Sequence, residues 1–405
     1  MSLGQPDLFE VFGLGDSRSR PSYGNYILKE RFSPLLKWPG GKTAELSLIL
    51  PRMPQRIGRF FEPFVGGGAV FFSLSSKVPA YLNDFCTDLI AFYRQVATSN
   101  EDFYSMLEAI NRYWKNIEEV TVCYSGDLIR IYLQYKHNYL NNHDLKNRLV
   151  EFIIQNSEEF NSIFSNAFNY DIQHLIGEIE SNLFNKMQRM KKLEAKQGEL
   201  SQKDLQSNLE GAIKSAFYMH MRYLYNYPCK HNISEAKFAA IFFFIREYAY
   251  AAMFRFNKSG QFNVPYGGIS YNRKDIKLKV NRLRQRSLLE KLEKAVFENM
   301  DFEEFLEKFR PKKGDFIFLD PPYDTDFSDY DKNIFDKSDQ KRLANYLINH
   351  CQANFMLVIK ATDFIISLYE KKDLNIQAFD KKYMWTIKER NIRETKHLMI
   401  TNYKL

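Results

Sequence analysis

The chain has few cysteines and no long hydrophobic segment. Its 405 residues contain four widely separated cysteines: Cys86, Cys123, Cys229 and Cys351. They show neither the paired spacing of a zinc site nor the density of a disulfide scaffold, so we expect no metal and a reducing cytoplasm. No run of roughly eighteen apolar residues is present, and the N-terminus lacks the apolar segment of a secretory signal. These two absences argue against a membrane or secreted protein.

Positive charge and aromatic side chains are, in contrast, abundant. Lysine and arginine (57) outnumber aspartate and glutamate (49), and the resulting net charge of +8 favours a polyanionic partner. Aromatic residues make up 16% of the chain; most fill cores, and those beside basic residues suit stacking on bases. The length allows one large α/β domain with an insertion, or two or three ordinary domains.

Hydrophobic patterns predict a parallel sheet whose strands lie in two separate parts of the sequence. Residues 59–97 predict a βαβ unit with a right-handed crossover: strand 59–62, glycine turn 66–68, helix 69–74, strand 80–84 and helix 89–96. Further strands are predicted at 294–297, 316–319, 355–359 and 397–401. The residues between the two parts have a mostly helical pattern, and we interpret them as an insertion. Its helical portion, 115–235, has either a purely structural role or a role in contacting a partner.

The buried strand that begins at Phe316 ends in Asp320-Pro321-Pro322-Tyr323. The prolines stop the strand, which places Asp320 and Tyr323 at the carboxyl edge of the sheet, where open α/β folds bind ligands. The Asp320 carboxylate and the Pro321 carbonyl are hydrogen-bond acceptors, and Tyr323 offers an aromatic face. Chemistry on the amino group of a flat base needs these groups. A strand end followed by an acidic turn is the alternative.

The segment Glu62 to Gly68 also follows a strand, and its glycines allow a ligand to approach backbone amides closely. Asp84 follows the next strand, where nucleotide-binding βαβ units have an acid that accepts hydrogen bonds from ribose hydroxyls. Phe71 stands where a dinucleotide-binding motif has its third glycine. A nucleoside without a pyrophosphate, such as S-adenosylmethionine, therefore fits better than a dinucleotide.

The upstream segment Leu36 to Thr43 has some likeness to a phosphate-binding loop. That interpretation fails because Leu36 replaces the first glycine of the motif and no clear strand precedes it. Trp38 and Lys42 flank a glycine turn and can instead hold the carboxylate end of an amino-acid-like cofactor.

A segment rich in turn formers and basic groups follows the helical region. We predict a β-hairpin over about 254–274 that enters a DNA groove, because it combines phosphate neutralisation with base-edge donors. The predicted DNA contacts are Arg255, Asn257, Lys258, Tyr266, Tyr271, Arg273 and Lys274. A second basic segment, Ile387 to Arg393, either lines the same cleft or is a solvated loop.

Five of these segments follow one another in an order that is specific when they are taken together. They are Leu36–Lys42, Phe61–Gly68, Leu82–Asp84 with Asp88–Ile90, Arg255–Asn257 with Asn263–Gly267, and Asp320–Tyr323. In this order they resemble the Dam-like, alpha-class family of adenine-specific DNA methyltransferases. The resemblance implies an α/β, Rossmann-like S-adenosylmethionine-dependent methyltransferase sheet with a mainly helical insertion and a target-recognition hairpin. The catalytic domain is then 31–100 with 290–405, the insertion and DNA-recognition domain is 101–289, and 1–30 is a flexible arm.

The same resemblance implies the roles of the site residues. S-adenosylmethionine is expected to contact Trp38, Lys42, Glu62, Phe64, Gly66, Gly68, Asp84 and Asp320. Asp301 and Phe302 are expected near its adenine, with an ordinary helix start as the alternative. Asp320 and the Pro321 carbonyl would accept the two N–H bonds of the target amine, and Tyr323, after Pro322, would stack on an adenine flipped out of the duplex. Direct methyl transfer requires no metal.

Two rival activities and several partners stay open at this point. The rivals are an RNA adenine methyltransferase and a non-catalytic DNA-binding regulator with the same fold. The expected partner is double-stranded DNA in a bacterial or phage-infected cell, near the nucleoid, with a cognate restriction endonuclease as a further candidate. Gln5 to Phe9 resembles the peptide with which bacterial DNA enzymes bind the sliding clamp, although so short a motif also occurs by chance. Because Gly267 to Tyr271 replaces the basic run expected after the hairpin, the recognition sequence cannot be transferred.

Overall fold

The computed structural model describes residues 26–28, 32–156, 170–322, 335–370, 373–382 and 394–405. Within these residues seven strands form one sheet in the order β3-β2-β1-β4-β5-β7-β6. The strands are β1 (Phe60–Glu62), β2 (Ala80–Asn83), β3 (Ala295–Glu298), β4 (Phe316–Leu319), β5 (Asn354–Lys360), β6 (Asn375–Lys382) and β7 (Glu394–Thr401). The first five are parallel, and β7 runs antiparallel to both β5 and β6. The predicted α/β class is confirmed.

The central strands are apolar because helices cover both of their faces. Every residue of β4 is buried, as are all three residues of β1, which lies between β2 and β4. Phe61 pairs with Ile317 of β4, and Glu62 pairs with Leu82 of β2. The carboxyl ends of β1, β2 and β4 therefore lie side by side at one edge of the sheet.

The helices before the sheet's second half are α1 (Leu46–Ile49), α2 (Thr87–Ala97), α3 (Glu101–Cys123), α4 (Ser125–Lys136), α5 (Asn142–Gln155), α6 (Ile172–Gln197), α7 (Gln202–Asn226) and α8 (Glu235–Tyr248). Those after it are α9 (Ile276–Leu283), α10 (Arg286–Glu293), α11 (Phe302–Phe309), α12 (Lys337–Asn345) and α13 (Asp363–Tyr369). Many begin at a side-chain cap, as at Asn100, Ser201 and Ser234, whose oxygens accept backbone N–H bonds from the first turn.

The helical region and the sheet share one hydrophobic core. Helix α8 is apolar nearly all round, with the sequence Ala239 to Ile245 fully buried, which is typical of a helix packed on every side. It packs against α2, α3 and α7, and the rings of Phe92 and Phe243 stack at 5.4 Å. Helix α6 pairs with α7 along its length, and α6 buries a stripe from Leu175 to Met190 at helical spacing. The inserted helices thus pack against the sheet through the same core.

Two sequence predictions of secondary structure were wrong or incomplete. The helix predicted at 69–74 is a single 3₁₀ turn, Phe71–Ser73. Residues 69–74 are all buried, and such a run has no polar face with the period of a surface helix. Strand β6 was missed because its sequence, NIQAFDKK, is charged, as is common where a strand must not pair further at the sheet edge.

Candidate active site

Three acidic residues lie at the carboxyl ends of neighbouring strands. Glu62 is the last residue of β1, and Asp84 and Asp320 directly follow β2 and β4. The Asp84 carboxylate accepts N–H bonds from Gly66 at 2.9 Å and from Cys86 at 3.0 Å, which fixes the glycine turn against β2. Glu62 and Asp320 are 258 positions apart in the sequence. They lie at the same edge of the sheet because β1 and β4 are parallel neighbours.

Glu62 is the most deeply buried of the three, with 2% of its surface exposed. Burial, reinforced by the negative charges of Asp320 and Asp84, raises the pKa of the Glu62 carboxyl well above its usual range. The Phe71 N–H donates to this carboxyl, whereas its Oε2 has no hydrogen-bond partner among the described residues. A buried polar atom without a partner is costly, so a ligand that donates a hydrogen bond to Oε2 would be favoured at this edge.

Lys42 connects the upstream segment to this edge. Its ammonium group forms an ion pair with the Asp320 carboxylate and also donates to the Gly40 carbonyl at 3.0 Å. The Lys42 side chain is 3% exposed and that of Asp320 is 19% exposed. Sequence analysis expected both residues near the cofactor, and the structure brings them into direct contact with each other.

Trp38 lies against the glycine turn. A Cβ atom added to Gly66 would be 2.7 Å from Trp38 Cδ1, and Gly66 has a φ of +47°. Both facts require glycine at this position. The Tyr93 hydroxyl donates to the Gly66 carbonyl at 2.9 Å, which helps to fix the turn. The Trp38 indole also packs against Phe254, with ring centres 5.4 Å apart.

Asn83 and Gln340 support the site, and sequence analysis assigned a role to neither. The Asn83 amide donates to the carbonyls of Pro63 and Met300 at 3.1 and 3.0 Å and accepts from the Met300 N–H, so it joins the ends of three strands. Gln340, which is fully buried, donates to the Pro322 carbonyl at 2.9 Å. The signal for Asn83 was a polar residue within an otherwise apolar strand; Gln340 has no local signal because its partner is distant in sequence.

Asp301 has the role that sequence analysis gave as the alternative. Its carboxylate caps helix α11 by accepting the Glu303 N–H at 2.9 Å, and it forms an ion pair with Arg342 at 2.7 Å. Phe302 is buried and packs against Phe64, with ring centres 5.6 Å apart. These contacts make an ordinary helix start, and a contact with a cofactor stays a prediction for both residues.

The predicted hairpin is shorter than expected. Backbone hydrogen bonds from Asn257 to Gln261 and from Asn263 to Arg255, at 2.8 and 3.1 Å, close a tight loop over residues 255–263. Asn226 of α7 anchors it by exchanging two hydrogen bonds with the backbone of Phe262. We call residues 255–263 the recognition loop. Arg255, Asn257 and Lys258 are exposed in it.

The second half of the predicted hairpin instead folds back onto the helices. Tyr266 is buried and its hydroxyl donates to Asn272, which argues against the predicted contact with DNA. The Lys274 ammonium binds the Glu247 carbonyl, and burial lowers its pKa to about 8. Arg273 is exposed but lies 3.2 Å from the Glu210 carboxylate. Tyr271 is half-buried, with the Lys274 ammonium 4.1 Å from its ring centre. These side chains fold against the protein because α7 and α8 present acidic and carbonyl groups to them.

Several predicted residues lie outside the described part of the chain. They are Tyr323, the segment 387–393 and the clamp-like peptide 5–9. Of the catalytic motif, the structure describes Asp320, Pro321, which is buried, and Pro322, which is exposed. Within the described ranges no helix is long and apolar enough to cross a membrane, and no group of histidine, cysteine and acidic residues is arranged to hold a metal ion.

Comparisons with known proteins identify the family. A family model described as D12 class N6 adenine-specific DNA methyltransferase matches residues 38–207 and 161–387. The type II methyltransferase M.CviBI of Paramecium bursaria Chlorella virus NC1A is 24% identical over 381 residues, covering 91% of this chain and 99% of that protein. The type II methyltransferase M.MjaIII of Methanocaldococcus jannaschii is 25% identical over 388 residues, with coverage of 91% and 99%. The Retron Ec67 DNA adenine methylase of Escherichia coli is 29% identical over 187 residues, covering 43% of this chain and 61% of that protein. The chain therefore belongs to the D12 class of N6 adenine-specific DNA methyltransferases.

Proposed function

We propose that the protein transfers the methyl group of S-adenosylmethionine to the N6 amine of an adenine flipped out of duplex DNA, with Asp320 as the residue that binds the amine. The observation that carries this proposal is the convergence of Lys42, Glu62, Asp84 and Asp320 at one edge of the sheet, beside the Gly66 turn. The family makes the reaction an N6 methylation of adenine in DNA, which removes the RNA-directed alternative.

The residues at this edge fit S-adenosylmethionine. The Gly66 turn has no space for a side chain beside Trp38, and the Glu62 carboxyl beside it has an oxygen without a partner in the described structure. Asp84 follows β2 beside the glycine turn, where its carboxylate would accept ribose hydroxyls. When bound, S-adenosylmethionine supplies an electrophilic methyl group. Trp38, Glu62, the glycine turn and Asp84 would hold and orient it.

Asp320 is the proposed acceptor for the target amine, and Lys42 keeps it in the ionised form. The buried ammonium group stabilises the negative charge of the Asp320 carboxylate, and an ionised carboxylate only accepts hydrogen bonds. The amine of adenine is a weak nucleophile because its lone pair is delocalised into the ring. Asp320 and the Pro321 carbonyl would accept its two N–H bonds and direct the lone pair towards the methyl group. Gln340 fixes the next carbonyl, that of Pro322, and so steadies the backbone of this motif.

DNA would be bound by the recognition loop. Arg255, Asn257 and Lys258 are exposed there, and the protein carries a net charge of +8. Cations at an exposed loop neutralise phosphates, and an arginine side chain can form paired hydrogen bonds with a guanine edge. The Asn257 amide bonds Ser259 and Gln261 within the loop, so it would hold the shape of the loop. Tyr323 would stack on the flipped adenine. Relatives named type II methyltransferases support a place in a restriction-modification system, with a cognate endonuclease as partner.

The test is methyl transfer from labelled S-adenosylmethionine to unmethylated duplex DNA and, in parallel, to ribosomal RNA. We expect label in DNA, in N6-methyladenine, at a defined sequence that methylation-sensitive sequencing of expressing cells would map. Label in RNA alone, or in neither substrate, would overturn the proposal. The binding of Gln5 to Phe9 to a sliding clamp stays a prediction that deletion of this peptide would test in a pull-down.

A further inference from the structure

Arg246, near the end of helix α8, is a fully buried arginine. Among the described residues no carboxylate lies within ion-pair distance of its guanidinium. The group instead donates to three backbone carbonyls: Nη1 to Met253 at 2.9 Å, and Nη2 to Lys37 at 2.7 Å and to Ala252 at 3.2 Å. Burial lowers its pKa to about 10, so it stays protonated at neutral pH. A cation buried without an ion-paired carboxylate in the described structure is expensive to desolvate, which indicates a role beyond filling space.

The three carbonyls belong to two segments with different proposed roles. Lys37 precedes Trp38, whose indole packs on the Gly66 turn at the cofactor site. Ala252 and Met253 lead directly into the recognition loop. The guanidinium carbon also lies 5.4 Å from the centre of the Trp38 ring and 4.6 Å from that of Phe254. One side chain therefore touches the cofactor segment and the start of the DNA-binding loop together.

The backbone between helix α8 and the recognition loop is strained. Ala251 and Ala252 both have left-handed conformations, with φ values of 51° and 53°. Such values are uncommon for residues with a Cβ atom, and they persist where the surroundings fix them. Arg246 binds the carbonyl of Ala252 and that of the next residue, and the Tyr250 N–H donates to Pro265 at 2.9 Å on the far side of the loop. The direction in which the loop leaves the helix is thus set at this pair of alanines.

We infer that Arg246 is a positioning residue that couples the recognition loop to the Trp38 segment, so that DNA binding and cofactor binding strengthen each other. The inference rests on the proposed function, since it needs both segments to have the roles given above. DNA bound at the recognition loop would stabilise the observed arrangement, in which the Ala252 and Met253 carbonyls hold the guanidinium and the guanidinium holds the Lys37 carbonyl against the Trp38 ring. Because coupling of this kind is reciprocal, the cofactor favours the DNA-bound loop to the same extent.

The experiment measures the affinity for S-adenosylhomocysteine, by calorimetry, without DNA and with a saturating duplex that carries the mapped recognition sequence. The ratio of the two dissociation constants is the coupling factor. For the wild-type protein we expect a factor of about five or more, within the range usual for coupled sites. In Arg246→Met the factor should fall to about one, and Arg246→Lys, which keeps a charge but lacks the planar fork, should restore it only in part.

Two further variants separate coupling from folding and from simple loss of contacts. The double variant Ala251→Gly with Ala252→Gly relieves the left-handed strain, so it should fold at least as stably as the wild type while its coupling factor falls. Lys258→Ala, at the exposed tip of the recognition loop, should weaken DNA binding without changing the factor at saturating DNA. Thermal unfolding of each variant shows which of them are folded.

The outcomes distinguish the inference from the proposed function. A folded Arg246→Met that keeps the wild-type coupling factor overturns the inference. A coupling factor of one in the wild-type protein also overturns it. Both outcomes leave the methyl-transfer proposal intact. If Arg246→Met does not fold, an unchanged factor in both Arg246→Lys and the double glycine variant overturns it. If the wild-type protein transfers no methyl group to DNA, the proposed function fails first. A lower coupling factor in the folded Arg246 and double glycine variants, with an unchanged coupling factor in Lys258→Ala, supports the inference.

Discussion

The acidic edge of the sheet and the recognition loop are built in different ways. At the edge, Glu62, Asp84 and Asp320 are fixed by strand register and by an ion pair with a nearly fully buried lysine. At the loop, Arg255 and Lys258 are exposed, and the loop is tied to the end of helix α7 by side-chain hydrogen bonds at Asn226 and Tyr227. The difference indicates a division of labour. Changes at the edge should remove chemistry, and changes at the loop should weaken DNA binding while the chemical step survives.

The largest expected effect is that of Asp320→Ala. Removal of the amine acceptor should lower the rate of methyl transfer by about 100-fold or more, while DNA binding persists. Because the buried Lys42 ammonium then loses the Asp320 carboxylate, the free energy of unfolding should also fall, by about 3 kcal/mol. Single-turnover methyl transfer and chemical unfolding measure the two effects.

Asp315→Ala is the matched control for that variant. Asp315 precedes β4, whereas Asp320 follows it, and Asp315 forms its ion pair with Arg59 at 2.6 Å, at the opposite edge of the sheet. The control should lose stability and keep its transfer rate per folded molecule. Equal loss of transfer in both variants would show that the edge acts through folding alone and would remove the special role of Asp320.

Gly66→Ala should have the next largest effect. The added Cβ would be 2.7 Å from Trp38 Cδ1, at a positive φ, so the turn must move and strain of about 1 kcal/mol is introduced. We expect the affinity for S-adenosylhomocysteine to fall by about tenfold, equivalent to 1.4 kcal/mol. Gly126→Ala, in helix α4 with open space around its Cβ position, is the control and should leave that affinity unchanged. Unaltered affinity in Gly66→Ala would contradict the placement of the cofactor.

A smaller effect, on the salt dependence of DNA binding, should distinguish Lys258 from Arg273, two cations of the segment that was predicted as one hairpin. Lys258→Ala should weaken DNA binding and reduce the slope of log affinity against log salt by about one. Arg273→Ala should change the slope by less than half as much, because the Arg273 guanidinium already interacts with Glu118 and Glu210. Fluorescence anisotropy at several salt concentrations measures both. Equal slope changes would mean that both halves of the segment contact phosphates.

The smallest effect is a change of stability with pH at Glu62. The pKa of this carboxyl is raised in the folded protein, so its contribution to stability is present in full below its unfolded value of 4.5 and is lost as pH rises towards the folded pKa. Glu62→Gln mimics the protonated form and lacks this titration. Its stability relative to the wild type should therefore increase with pH above 4.5, by at most about 1.4 kcal/mol per pH unit. Urea unfolding at several pH values would show it, and a constant difference would argue against a raised pKa.

The acidic edge could be predicted from the sequence because its cause is local. A buried strand that ends in Asp320-Pro321-Pro322 and a strand followed by Asp84 place their carboxylates at the same edge through parallel pairing alone. The wrong helix at 69–74 shows the limit of this reasoning, because a wholly buried run carries no period that distinguishes a helix from a turn.

The recognition segment could be predicted only in outline, because distant side chains determine its shape. A turn-forming, basic segment over about 254–274 was recognisable, whereas the path of residues 266–274 depends on Glu210, Glu247 and Asn272. The sequence also contained no local signal for Arg246, since its three carbonyl partners become neighbours only in the folded chain.

The most direct test of the account is a structure of the complete protein with duplex DNA, carrying the mapped site, and S-adenosylhomocysteine. We predict the target adenine outside the helix stack, its N6 atom within about 3.2 Å of an Asp320 carboxylate oxygen, and the sulfur atom next to the Gly66 turn on the opposite side of N6. An adenine whose N6 atom is bound elsewhere, with Asp320 contacting Lys42 alone, would contradict it.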